Sequence, residues 1–280
     1  MSAVSAPRTG DVEAESRSVA TVLDAAKAEG RAALIGYLPT GYPDVATSVA
    51  AMVAMVEGGC DIIEVGVAYS DPVMDGPTVQ QAAEVAVQNG TTLADSLTVV
   101  RAVAEAGGAA LVMSYWNPID RYGVQRFAED LAAAGGSGII TPDLIPDEAA
   151  GWIAASEQND LDRVFLVAPS STDARVVSTA AASRGFVYAA STMGVTGTRA
   201  VIGDAAGALV ARFRRLAPGT HVCVGIGVSN GDQAAEVAGF ADGVIVGSAF
   251  VRRLLDDPGP GGVAAVREFA AELAAGVRRR

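Results

Sequence analysis

One lysine, Lys27, and one histidine, His221, are all that this chain of 280 residues has of either type. Their scarcity removes whole classes of mechanism. A Schiff base needs a lysine at the reacting centre, and Lys27 falls in a helical stretch ahead of the first β-branched run. His221 stands just before the seventh such run, at the end opposite the strand-to-helix loops. It reads as a structural histidine, which leaves zinc and imidazole catalysis without their main residues. Cysteine is equally sparse: Cys60 and Cys223 show no C-x-x-C spacing and read as buried thiols. Gly, Pro or a charge interrupts every apolar run before the roughly 18 residues that a membrane span requires. Positive charge is also short. A net charge of -12 disfavours a nucleic-acid groove or an anionic membrane, and Arg278, Arg279 and Arg280 are too few and too terminal to reverse that. Residues 1–15 have no apolar core of a signal peptide and read as a flexible N-terminal extension, so the expected location is cytoplasmic.

What the chain does have is alternation. Short β-branched runs are followed eight times by Ala-rich helical periods, the pattern of a parallel sheet. The runs are Ala33–Leu38, Ile62–Val67, Ala110–Tyr115, Gly138–Pro142, Val164–Ala168, Phe186–Ala190, Val222–Ile226 and Gly243–Val246. Eight units predict an α/β fold, a (β/α)8 TIM barrel forming one catalytic domain over residues 16–280. An additional N-terminal helix from about Val12 to Glu29 would cover the barrel bottom. An open doubly wound sheet is the alternative, but Leu38-Pro39-Thr40-Gly41 after the first strand supplies no G-x-G-x-x-G. The two long insertions, Ala68–Pro77 with a helix over Thr78–Asn89, and Ser191–Ala205, both fall on the strand-to-helix side, where barrel sites are built.

Proton transfer in such a mouth falls to carboxylates or phenols. Glu64 lies inside Ile62-Ile63-Glu64-Val65-Gly66-Val67. The two-residue period puts it on the face of Ile62 and Gly66, pointing into the barrel if Ile63, Val65 and Val67 face the helices. Desolvation there would raise its pKa toward the range of general acid–base work; the competing reading is a structural carboxylate satisfied by backbone donors. Asp71 and Asp75 share a Pro- and Gly-rich loop where either could make an Asx turn or cap the next helix, and Asp143 in Pro142-Asp143-Leu144 has the same ordinary explanation. Tyr188 shares a face with Phe186 and could be a plain core tyrosine.

Glycine-bearing segments follow the last three strands: Gly194-Val195-Thr196-Gly197, Gly225-Ile226-Gly227-Val228-Ser229 and Gly247-Ser248-Ala249. Glycine often serves only tight turns, yet three segments converging at one rim match the place where barrels bind phosphate through backbone N–H groups and a helix N-terminus. The residues thus describe a metal-free barrel enzyme acting on a phosphorylated substrate, without naming it.

Several separated segments resemble the tryptophan synthase alpha chain family over about residues 20–277. They are Asp61-Ile62-Ile63-Glu64-Val65-Gly66-Val67, Tyr69-Ser70-Asp71-Pro72, Asp75-Gly76-Pro77-Thr78, Tyr115-Trp116-Asn117-Pro118, Pro142-Asp143-Leu144, Tyr188-Ala189-Ala190-Ser191 and the three glycine segments. The resemblance implies a lyase of tryptophan biosynthesis that splits indole-3-glycerol phosphate into indole and glyceraldehyde 3-phosphate in a retro-aldol step. It casts Glu64 as the acid–base group and Asp75 as the acceptor of the indole N–H. It puts Tyr188 beside Glu64, Tyr37 and Met113 around the indole, and Gly197, Gly227, Gly247 and Ser248 at the phosphate. The loops around Asp71 and Thr196 would be the family's mobile active-site loops. Asp71, Pro72 and Asn117 would face a beta subunit carrying pyridoxal phosphate in an alpha2-beta2 heterotetramer, with no cofactor in this chain. A stand-alone lyase of the same fold, or a non-catalytic activating subunit, are the alternatives. One departure is Ala68, where the family usually has proline; its freer backbone would loosen loop closure or coupling to the beta chain.

Overall fold

The computed structural model describes residues 18–190 and 199–279. Nine parallel strands are present: β1 Ala33–Pro39, β2 Ile62–Gly66, β3 Ala109–Met113, β4 Gly138–Ile140, β5 Asp162–Val164, β6 Leu166–Val167, β7 Val187–Ala190, β8 Val222–Gly225 and β9 Gly243–Val246. They pair in the order β5-β4-β3-β2-β1-β9-β8-β7-β6. Because β5 and β6 are separated only by Phe165, the two ends of that order are one stretch of chain, and the sheet curls into a nearly closed barrel. The single expected strand Val164–Ala168 is therefore two short ones. β5 pairs with β4 and β6 with β7, and the handover occurs at Phe165, whose carbonyl accepts from the Tyr188 N–H at 3.0 Å.

The two-residue period sorts the strands into two cores. Ala33, Ile35, Ile62, Ala109, Leu111, Ile140, Val164, Phe186, Cys223 and Ile245 fill the barrel interior. Their neighbours in sequence, such as Leu34, Ile63, Val65, Ala110, Val112 and Val244, face the surrounding helices. Those helices are α1 Val19–Ala28, α2 Val45–Glu57, α3 Pro77–Gln88, α4 Leu93–Glu105, α5 Trp116–Tyr122, α6 Val124–Ala133, α7 Ala150–Gln158, α8 Asp173–Ala182, α9 Arg199–Leu216, α10 Gly231–Ala238, α11 Ser248–Asp256 and α12 Pro260–Val277. Local chemistry starts several of them. Asp44 accepts from the Thr47 N–H at 2.7 Å ahead of α2, Thr92 and Asp95 form a reciprocal capping box at α4, and Pro77 opens α3, where its missing N–H costs nothing.

Helix α1 closes the bottom of the barrel, as expected, with Val19, Leu23 and Ala26 in the interior core. Its first N–H, from Val19, donates to the buried Asp162 carboxylate at 2.7 Å. The expected start at Val12 and the extension over residues 1–15 lie outside the described residues. His221 and Lys27 line a cleft on this bottom face, and His221 pairs with Asp24 of α1 at 3.1 Å, a tie between helix and barrel far from the mouth. Both cysteines are buried. Among the described residues no helix is long and apolar enough to cross a membrane. Strand ends differ from expectation by a residue or two: β3 stops at Met113 and β4 at Ile140, so Tyr115 and Pro142 belong to the mouth loops.

Candidate active site

At the C-terminal mouth of the barrel lies a cavity of about 240 Å³. Its walls come from strand ends and the loops after them: Tyr37 from β1, Glu64 from β2, Met74, Asp75 and Gly76 from the following loop, Val79 of α3, Met113, Leu166, Tyr188, Ala190, Gly225, Gly227, Ile245, Gly247 and Ser248. Eight of the residues singled out from sequence as binding or catalytic, Glu64, Asp75, Tyr37, Met113, Tyr188, Gly227, Gly247 and Ser248, meet here. Thr196 and Gly197 lie outside the described residues.

Glu64 points inward, opposite Ile63 and Val65, which pack against helices. It is 1 % exposed, and its Oε1 has no hydrogen-bond partner among the described residues, so no described backbone donor satisfies that oxygen. Desolvation alone raises its pKa to about 8. A carboxyl so placed exchanges its proton near neutral pH, and is able to act as acid in one step and base in the next. Tyr37 is its register partner on β1. The Tyr37 ring lies over Gly66, where a Cβ would come within 2.7 Å of its Oη, and its other edge approaches Gly247. Only glycine at position 66 leaves room for that ring.

Asp75 does not cap α3: Gly76 precedes the helix and no side chain bonds its first turn. Its Oδ1 accepts from the Tyr115 hydroxyl at 3.3 Å. Burial raises the Asp75 pKa, and the Tyr115 bond works against that rise. Tyr188 is half-buried, with its phenol pushed well up by desolvation and then by the Glu64 charge, so it stays a neutral hydroxyl beside that carboxyl. Its hydroxyl occupies the space a Gly225 side chain would need.

Asp143 takes the ordinary alternative in a different form. Both its oxygens accept from the Trp116 N–H, at 2.9 and 3.1 Å, so it anchors the first turn of α5 and stays outside the cavity lining. Asp71 is exposed and accepts from the Ser70 hydroxyl. Asn117 is exposed too, and its Nδ2 donates to the Tyr69 hydroxyl at 3.1 Å. Asp71 and Pro72 thus sit on a rim loop joined by the Tyr69 bond to Asn117 in the first turn of α5, while Ala68 stands at the head of that loop.

On the far side, Gly227 has φ +75°, a left-handed conformation that glycine adopts freely. Gly247 immediately precedes α11, whose first turn receives no side-chain cap. Among the described residues lining the cavity there is no lysine or arginine. An anion there would be met by backbone N–H groups and the positive end of the α11 dipole. Among the described residues no three His, Cys, Asp or Glu side chains are grouped to hold a metal ion. Leu166, Ile245, Val79 and Ala190 went unnoticed in the sequence. The first two carry a signal, since Leu166 shares its parity with the interior residue Val164 and Ile245 alternates with the helix-facing Val244 and Val246, but their depth in the mouth depends on barrel register.

The sequence profile of the tryptophan synthase alpha chain family matches residues 23–277. The chain is 65 % identical over 256 residues to the tryptophan synthase alpha chain of Thermobifida fusca, covering 90 % of this chain and 95 % of that one. It is 59 % identical over 268 residues to the alpha chain of Mycobacterium intracellulare, covering 96 % and 97 %. A structure of Mycobacterium tuberculosis tryptophan synthase superposes with a TM-score of 0.87 at 59 % identity, over 94 % of this chain and 99 % of that chain. The alpha subunit of Legionella pneumophila tryptophan synthase still gives 0.82 at 27 % identity, over 92 % and 97 %.

Proposed function

Since the chain belongs to the tryptophan synthase alpha chain family, and cleaves indole-3-glycerol phosphate to indole and glyceraldehyde 3-phosphate, we propose how its own residues divide that work. Glu64, protonated in its dry pocket, delivers a proton to indole C3. The ring becomes an electron sink, and its positive charge is stabilised by the Asp75 carboxylate accepting the indole N–H. The Glu64 carboxylate just formed takes the proton of the adjacent glycerol hydroxyl. The C–C bond then breaks, its electrons return to the ring, and indole and the aldehyde separate with Glu64 protonated again. One proton leaves Glu64 and one returns, so the cycle balances without a cofactor in this chain. Tyr37, Met113 and Tyr188 enclose the indole, and Gly227, Gly247 and Ser248, with Thr196 and Gly197, hold the phosphate.

The single observation that carries this reading is the buried Glu64 carboxyl, its Oε1 without a hydrogen-bond partner among the described residues and its pKa raised to about 8, in one cavity with Asp75 and the α11 N-terminus. Glu64→Gln keeps the shape and removes the proton. It is expected to bind indole-3-glycerol phosphate with near-normal affinity and to lose turnover by about 1000-fold or more, on the scale of removed acid–base catalysis. Indole release at the unaltered rate would reject the assignment.

Family membership implies a beta-chain partner. We propose further that the partner docks on the rim formed by Asp71, Pro72 and Asn117, that it carries the pyridoxal phosphate that consumes indole, and that the assembly is an alpha2-beta2 heterotetramer in the cytoplasm. Residues 16–280 are proposed to act as one barrel domain, with 1–15 as an extension.

A further inference from the structure

We propose that Tyr115 is a positioning residue for Asp75, and that with Tyr69 it forms a two-ring clamp fixing the Asp75 loop to the start of α5. This rests on the proposed role of Asp75 and adds to it the means by which that carboxylate is held.

Between β2 and α3 the chain runs across the mouth as a loop, residues 67–76, that burial does little to fix: Val73 in its middle is 78 % exposed. Tyr115 follows β3 and is 6 % exposed. It precedes α5 without capping it. Instead its side chain crosses to the neighbouring loop, where its hydroxyl accepts from the Met74 N–H at 2.9 Å and donates to Asp75 Oδ1 at 3.3 Å. A phenol has one proton to give. With the backbone N–H supplying a donor on one side, that proton is directed to the carboxylate on the other, which fixes the polarity of the pair.

The ring is held as well. Tyr69 packs against it with centroids 5.4 Å apart, and the Tyr69 hydroxyl accepts from Asn117 Nδ2 at 3.1 Å. Helix α5, which carries Asn117, is itself fixed by the Asp143 carboxylate on the Trp116 N–H. A continuous set of contacts thus runs from the β4 loop through α5 and the two rings to Asp75. The consequence is chemical as well as geometric. A hydrogen bond donated to a carboxylate favours its charged form, the form that accepts an indole N–H, and here it opposes the rise that burial causes.

The test is a double-mutant cycle on the full chain, cleaving indole-3-glycerol phosphate across the pH range, with thermal melts of each variant. Tyr115→Phe keeps both rings and removes the proton. It is expected to melt near the parent temperature, to lower kcat more than it alters KM, and to lose about 5- to 20-fold in kcat at neutral pH. The acidic limb of its pH–rate profile moves to higher pH, so the loss relative to the parent shrinks as pH rises toward the value near 8 at which Glu64 gives up its proton. In the Asp75→Asn background the same change adds less than about 2-fold, because both act through one carboxylate. Tyr69→Leu, which leaves the hydroxyl and removes its support, gives a smaller loss in the same direction and serves if Tyr115→Phe does not fold. Parent-like kcat and pH profile in Tyr115→Phe, or losses that simply multiply with those of Asp75→Asn, overturn the clamp while leaving Asp75 in its role. Parent-like kinetics in Asp75→Asn itself would remove that role, and the clamp with it.

Discussion

Glu64, the proposed acid–base group, illustrates how a buried carboxyl strains the fold that holds it. In the folded chain it keeps its proton up to about pH 8, against an ordinary value of 4.5. Between those values the folded state binds the extra proton and the unfolded state does not. Stability therefore falls as pH rises from about 4.5 to 8 and stays lower above that window. Glu64→Gln removes this burden. Its unfolding free energy is expected to track the parent's near pH 4 and to gain on it by on the order of a few kcal/mol near pH 9, with the midpoint rising accordingly. Thermal melts across pH check this, and equal midpoints at both ends would contradict it. The two-residue period put Glu64 opposite Ile63, Val65 and Val67, and its inward aim was legible only on the condition that this set faces the helices, since the strand is buried on both faces. Tyr115 was not legible, since its task depends on where a neighbouring loop folds over it, and nothing in its local sequence encodes that. Asp143 was legible only as a turn residue; its actual partner, the Trp116 N–H, lies 27 positions away.

At the scale of elements, the site is a division between two kinds of terminus. Strand ends supply the carboxylates and phenols, while the N-terminus of α11 supplies partial positive charge without a basic side chain. That division gives a prediction in which stability and binding move in opposite directions. Ser248 is the first residue of α11 and lines the cavity. Ser248→Asp places a negative charge where the helix dipole favours one, stabilising the helix by about 0.3–1 kcal/mol. The same charge repels a phosphate, so KM for indole-3-glycerol phosphate is expected to rise by about 10-fold or more. Melting and steady-state kinetics on one preparation test both, and an unchanged KM would put the phosphate elsewhere. The eight-unit alternation made the barrel readable, and the bottom-closing helix as well. The break of the fifth strand at Phe165 was not readable, because no glycine or proline marks it; it arises where the chain leaves one neighbour for another as the ring closes.

The whole molecule explains why the mouth has the chemistry it has. All eight strand positions contribute to an apolar interior that α1 closes at the bottom, and burial rather than a charged neighbour raises the Glu64 pKa. The exposed rim carrying Asp71, Pro72 and Asn117 is joined to the same mouth through Tyr69 and Tyr115. The proposed docking rim and the cavity thereby share a structural element. The claim on which the account turns is that Glu64 holds a proton at neutral pH. Infrared difference spectroscopy of the parent chain against Glu64→Gln reads it directly, through the carbonyl stretch of a protonated carboxylic acid. The account predicts that this band is present at neutral pH, is lost with a midpoint near pH 8, and is missing from the variant; a Glu64 already ionised at pH 6 would contradict it.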